Sequence, residues 1–195
     1  MIIDKNIPGW SHPDKLLYLA KQASNVPAAG WIVEVGTFFG RSAYALGMNK
    51  PESCLLTVID PFPNIEKDRT YGYGQEGVVF EYHTVLHYTK DIKNLEIFRG
   101  HSPMLFSNLK MEPINKINLL FIDGSHTYEC VKADLEFWGP MVAEDGIIIC
   151  DDYYIREGVK KATDEYAEKH DLIFDIMEPT AHVKNNLFVS LKKAV

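Results

Sequence analysis

Apolar positions along the chain fall into short continuous runs, separated by stretches with helical spacing. Residues 13–25 open near Pro13 and carry Leu16, Leu17, Leu19, Ala20 and Ala23, which predicts a helix with one apolar face; Pro27 and Gly30 end it. Beyond it, strand and helix alternate. Runs at 31–36, 55–60, 95–99, 117–123 and 147–151 predict five strands, the last entered through a turn at Glu144-Asp145-Gly146. Helices are expected at 40–48, near 79–91, at 126–138 with Val131, Leu135 and Trp138 near one face, and at 157–169. Near-continuous apolar strands suit a parallel sheet covered on both faces. The last two runs, 172–177 and 186–191, are joined by a short polar connection and can pair antiparallel. The expected fold is α/β: a doubly wound sheet of five parallel strands plus a C-terminal antiparallel hairpin, with helices on both faces. Residues 1–29 form an N-terminal helical extension to it.

Residues 61–77 break the pattern. Pro61, Pro63, Gly72, Gly74 and Gly77 surround Tyr71 and Tyr73, and a loop of about 15 residues inside a compact domain is usually functional. It is expected to act as a lid.

Composition narrows the class. With 195 residues, 46% hydrophobic and 24% charged, the chain has enough apolar material for one real core, which excludes a disordered tail protein or a fibrous repeat. A net charge of −7 argues against nucleic acid as partner. Cys54, Cys130 and Cys150 are an odd, sparse set, and the start of the chain lacks the pattern of a secretory signal, so reduced thiols in a cytoplasmic protein are expected. No apolar run reaches the roughly 18 residues of a membrane span. The expected partner is a small molecule, with neither nucleic acid nor membrane involved and homo-oligomerisation left open.

The chemistry gathers at strand ends. In an open α/β sheet, ligands bind beyond the carboxyl ends of the strands. Four of the five parallel strands carry acids there: Glu34, Asp60, Asp123 and the pair Asp151-Asp152. Such an anionic cleft favours a cation, a ribose or a divalent metal. Asp60, 26 residues past Glu34, can accept both ribose hydroxyls, at roughly 1.5–3 kcal/mol per charge-assisted bond. With the fourth and fifth strands adjacent in an order 3-2-1-4-5, Asp123, Asp151 and Asp152 converge, a hard-oxygen set suited to Mg²⁺ or Mn²⁺. His126, three residues past Asp123, is a candidate proton acceptor. His83 and His87 have no third ligand tied to them and read as the polar face of a helix. In the first loop, Gly36 and Gly40 are helped by neither the further glycine at Thr37 that a dinucleotide fingerprint needs nor the Gly-Lys-Ser/Thr of a phosphate loop.

Glu34-Val35-Gly36-Thr37-x-x-Gly40-x-Ser42, Asp60 ending the second strand, and Phe121-Ile122-Asp123-Gly124-Ser125-His126-Thr127-Tyr128 together resemble the class I S-adenosylmethionine-dependent methyltransferases, with their Rossmann-like sheet. Within these, the chain looks most like the metal-dependent small-molecule O-methyltransferases of the catechol and caffeoyl-CoA types, and closer still to the bacterial group with macrocin-type sugar O-methyltransferases. The resemblance runs from about Gly30 to the C-terminus. It implies a cofactor site of Glu34, Gly36, Thr37, Gly40, Ser42, Asp60, His101, Ser102 and Asp123. Gly36 and Thr37 would approach the methionine part, Ser42 its carboxylate, Asp60 the ribose and Gly100-His101-Ser102 the adenine. Asp123, Asp151 and Asp152 match metal ligands for Mg²⁺ or Mn²⁺. His126 stands where the catechol type carries a catalytic lysine. The short N-terminal region implies a reduced lid. The expected activity is transfer of a methyl group to a small hydroxylated acceptor, glycosyl or phenolic. The rivals are a non-catalytic relative that binds a metabolite or partner, and a nicotinamide oxidoreductase.

Overall fold

In the computed structural model, which describes residues 1–62, 81–106, 117–176 and 189–193, the apolar runs assemble into one sheet. Among the described residues it has seven strands: β1 (Trp31–Val35), β2 (Leu55–Asp60), β3 (Leu95–Arg99), β4 (Ile117–Ile122), β5 (Val142–Cys150), β6 (Leu172–Ile176) and β7 (Val189–Lys193). Their order is β3-β2-β1-β4-β5-β7-β6. The first five are parallel, and β7 runs antiparallel between β5 and β6. The doubly wound body and the antiparallel tail both match expectation. The proposed lid at 61–77 lies, from residue 63 on, outside the described residues.

Two apolar layers hold the sheet. On one face, Val33, Val35, Leu120, Ile122 and Ile148 pack with Leu135 and Trp138 of α4 (Tyr128–Trp138) and with Val159 and Ala162 of α5 (Glu157–Lys169). On the other, Ile32, Leu56, Val58, Leu119, Phe121 and Ile149 meet Leu19 and Ala23 of α1 (Pro13–Ser24) and Ala43 and Leu46 of α2 (Arg41–Asn49). A third crossover helix, α3 (Glu81–Thr89), precedes β3 and buries Val85 while His83 and His87 stay exposed, as a polar face should. Trp138 anchors the first layer, with its ring 5.2 Å from Phe106 and 6.4 Å from Trp31. Removing so large a buried side chain typically costs about 3–5 kcal/mol.

Three local differences from the sequence reading matter. Leu17, expected on the buried face of α1, is 41% exposed, while Lys15 is 1% exposed. The turn expected at Glu144-Asp145-Gly146 lies inside β5 instead: Ile117 pairs with Val142 but Leu119 pairs with Ile147, so the extra residues bulge and expose Glu144 and Asp145. Finally, α4 starts at Tyr128 rather than at 126, because the Thr127 hydroxyl accepts the Cys130 N–H at 3.4 Å and caps the helix. His126 therefore sits on the loop that crosses the strand tips.

Chain order reverses between β1 and β4, and the loops that leave those strands touch. Gly36 has φ +84°, and a Cβ placed there would lie 2.3 Å from the Asp123 carbonyl oxygen. Only glycine permits both the backbone angle and the approach.

Candidate active site

The carboxyl ends of β1, β2, β4 and β5 open onto one cavity of about 570 Å³, within the usual size range of small-molecule sites. Its lining includes Gly36, Thr37, Ser42, Asp60, His101, Ser102, Asp123, His126, Asp151 and Asp152. The tertiary structure thus brings together residues spread over more than half the chain. Two expected cofactor residues do not line it. Gly40 is the N-cap of α2 with φ +88°, and Glu34 is buried in β1 beneath the loop.

Asp60 organises the loop after β1. Its Oδ2 accepts the backbone N–H groups of Thr37 at 2.8 Å and Phe38 at 3.0 Å, and its Oδ1 accepts that of Phe62 at 2.8 Å. A carboxylate has about four acceptor positions, so these three bonds leave one open. The Thr37 hydroxyl is buried with no hydrogen-bond partner among the described residues, yet Thr37 lines the cavity.

Beneath this loop, burial pushes the Glu34 carboxyl up to about 8; Asp123 and Asp60 add to the effect, and nearby Ser42 and Thr37 oppose it. Neither Glu34 oxygen has an aligned hydrogen-bond partner among the described residues. Glu34 is accordingly protonated near neutral pH and adds little charge to the cleft.

The N-terminal segment forms a wall. Pro8, Gly9, Trp10 and Ser11 line the cavity. Arg41, the first residue of α2, holds them: its guanidinium donates to the carbonyls of Ile7 at 2.6 Å, Ser11 at 3.1 Å and Lys5 at 3.0 Å. The Trp10 ring, 65% exposed, stacks on Phe38 at 4.9 Å. At the adenine end implied by the resemblance, the Ser102 hydroxyl donates to Asp134 at 2.6 Å and accepts the Trp138 indole N–H at 2.9 Å. Burial lifts Asp134, also a lining residue, to about 7.

At the other end three carboxylates meet three basic side chains. Asp151 Oδ1 accepts the Lys15 ammonium and the Asp152 N–H. Asp152 Oδ2 lies 3.2 Å from His126 Nε2 and 3.7 Å from Arg156 Nε, and Asp123 Oδ1 is 4.0 Å from His126 Nε2. The Asp123 carboxylate above all, with Asp152, raises the imidazole's pKa against the opposing effect of its burial. Burial pushes Asp151 up as well, as does nearby Asp123, while Lys15 pulls back.

The expected divalent ion does not fit this arrangement. Asp151, one of its three ligands, is engaged by a buried ammonium. A dication about 4 Å from that ammonium would be repelled by about 8 kcal/mol at an effective dielectric near 20. Among the described residues, no group of three or more His, Cys, Asp and Glu side chains is arranged to hold a metal ion. Sequence reasoning missed Lys15, Arg41, Trp10 and Arg156. Lys15 alone left a signal: it shares a helical face with Leu19 and Ala23 at successive intervals of four.

Known proteins agree with this geometry. Residues 33–153 match the family described as a methyltransferase domain, more than half of the chain. CalS11, a TDP-rhamnose 3'-O-methyltransferase of calicheamicin biosynthesis, is 17% identical and superposes with a TM-score of 0.64 over 93% of this chain and 81% of its own. TomG of Streptomyces achromogenes, an O-methyltransferase of tomaymycin synthesis solved in complex with SAM, is 13% identical, with a TM-score of 0.65 over 95% of this chain and 82% of its own. At these identities the likeness shows a shared fold. A curated relative, the uncharacterized protein y4gI of Sinorhizobium fredii, is 26% identical over 127 residues, which are 65% of this chain and 13% of that protein's length. The matched segment, a sheet with loops meeting at the β1/β4 switch, supplies most of the cavity's lining, and the chain belongs to the methyltransferase-domain family.

Proposed function

We propose that the chain is an S-adenosylmethionine-dependent O-methyltransferase acting on a small hydroxylated acceptor, glycosyl or phenolic. One observation carries the proposal: the loop fixed by Asp60 shares one cavity with the His126–Asp152 cluster. A cofactor subsite and a proton-accepting group thus face the same space. The complex of TomG with SAM and the sugar-nucleotide acceptor of CalS11 support this choice of cofactor and acceptor class. When bound, S-adenosylmethionine supplies a methyl group made electrophilic by its sulfonium.

The chain's own residues do the rest. Gly36 lets the backbone approach the cofactor, the N–H groups at the start of α2 and the Ser42 hydroxyl meet its carboxylate, and Asp60 accepts a ribose hydroxyl. Carboxylates at the strand tips favour its positive charge. The Trp10–Phe38 stack offers an aromatic wall for a sugar or phenol ring. The His126 imidazole, whose Nε2 is buried against Asp152 and Asp123, takes the acceptor's hydroxyl proton, and the two carboxylates stabilise the imidazolium that results. Alignment supplies most of the acceleration, where about 7–11 kcal/mol is available. No divalent metal enters this scheme.

Calorimetry with S-adenosylmethionine, followed by detection of S-adenosylhomocysteine across a panel of glycosyl and phenolic acceptors, tests the proposal. Binding and turnover are expected. Absence of binding overturns it, and binding without turnover across the whole panel favours a non-catalytic relative.

A further inference from the structure

We infer that Lys15 is the resident cation of this site, built into α1 in the place where a divalent metal would meet Asp151. The buried ion pair carries the inference. Lys15 is among the largest fully buried side chains of the protein, and it reaches Asp151 across 136 residues of sequence. An ammonium leaves water at a cost of several kcal/mol unless a carboxylate and good hydrogen bonds compensate. Its burial is therefore tied to Asp151, and the pair faces the same cavity as His126.

The rest of the cluster follows the same plan. Asp152 is met by His126 and Arg156, and Asp123 by His126. Three carboxylates thus face Lys15, Arg156 and the His126 imidazole. At Asp151 a dication would sit against the ammonium already held on Oδ1. An acceptor hydroxyl approaching His126 meets the fixed positive charges of Lys15 and Arg156, which line the same cavity, instead of a metal. That last role rests on the O-methyltransferase reading; occupancy of the cation position by Lys15 does not.

The source of α1 gives the arrangement its logic. Its N-terminus is capped by the His12 side chain, which accepts the Asp14 N–H at 3.3 Å. Leu16 and Leu19 bury the helix against the body, and Lys15, on the same buried side, is carried to the tip of β5. The segment that supplies the cation is continuous with the segment, residues 8–11, that walls the cavity.

The test is Mn²⁺ binding to the full chain by calorimetry and electron paramagnetic resonance, on wild type and on Lys15→Met. S-adenosylmethionine binding and circular dichroism on the same samples report an intact fold. Wild type is expected to take up no stoichiometric Mn²⁺ at millimolar concentration, and Lys15→Met to bind it roughly tenfold more tightly or better, because Asp151 is uncovered. One equivalent of Mn²⁺ bound by wild type with micromolar affinity overturns the inference, as does a folded Lys15→Met that gains nothing. Should Lys15→Met not fold, wild type decides: transfer that persists in excess chelator supports Lys15 as the cation, and transfer lost to chelator and restored by Mn²⁺ refutes it. A wild type that binds no S-adenosylmethionine at all fails the functional proposal separately, and its Mn²⁺ titration still reads the cation position.

Discussion

Asp60, at the tip of β2, accepts the backbone N–H of Thr37 at 2.8 Å, so the end of one strand sets the shape of the loop that follows another. A second bond from Phe38 N–H at 3.0 Å fixes that residue at φ +55°, a left-handed angle that a phenylalanine adopts only under constraint. The same carboxylate therefore builds this loop and, in the function proposed above, borders the ribose position. Asp60→Ala should lower affinity for both S-adenosylmethionine and S-adenosylhomocysteine by at least about tenfold, since each charge-assisted bond contributes about 1.5–3 kcal/mol. It should also speed amide hydrogen exchange at Thr37 and Phe38. Unchanged affinity by calorimetry would remove Asp60 from the site, and unchanged exchange would remove it from the loop.

Arg41 closes the cavity from the N-terminal side through three backbone carbonyls. Lysine cannot reproduce that fork of donors. Arg41→Lys and Arg41→Ala should free residues 5–11, open them to limited proteolysis, and raise KM for the acceptor with a smaller effect on cofactor affinity. A digestion pattern identical to wild type would show that the segment is held by other means.

His126 is expected to accept the acceptor's proton. Its replacement by alanine should lower kcat by roughly 10²–10⁴-fold and leave cofactor binding nearly intact. The Asp123 carboxylate holds the imidazole above its ordinary 6.5, so the rate should fall on the acid side from a pH above that value. In Asp123→Asn the acidic limb should move to lower pH. An acidic limb that survives unchanged in His126→Ala would belong to another group.

Glu34 gives the protein a pH dependence of stability. Its folded value of about 8 lies above the ordinary 4.5, so the folded state keeps a proton that the unfolded chain gives up. Its contribution is complete below about pH 4.5 and is lost as pH rises through 8. The loss is on the order of a few kcal/mol for a fully buried acid shifted this far. Glu34→Gln, neutral at every pH, should lack that loss: relative to wild type its melting temperature should gain between pH 5 and 9. A constant difference across that range would mean that Glu34 ionises without cost. Asp134 and Asp151 shift in the same direction, so the comparison of variant with wild type, not the wild-type curve alone, isolates Glu34.

The sequence by itself determined the sheet. Strand positions are written in local apolar runs: β1, β2 and β4 are buried on both faces and need apolar residues at consecutive positions, and these strands, with the more exposed β3 and β6, start where the runs start. The acids at the strand ends were equally legible, since a parallel sheet carries all its carboxyl ends to one edge, and Asp60, Asp123, Asp151 and Asp152 do line one cavity. What those acids are bonded to was not legible. Asp60 spends its oxygens on backbone N–H groups, which no side-chain pattern announces. Asp151 takes Lys15 from a helix 136 residues earlier, and Trp10 lines the cavity on a segment that Arg41 holds through the Ile7 and Ser11 carbonyls. Apolar burial is read one residue at a time from the chain, whereas the partner of a charge is chosen by distance in space, and only the tertiary structure sets that distance.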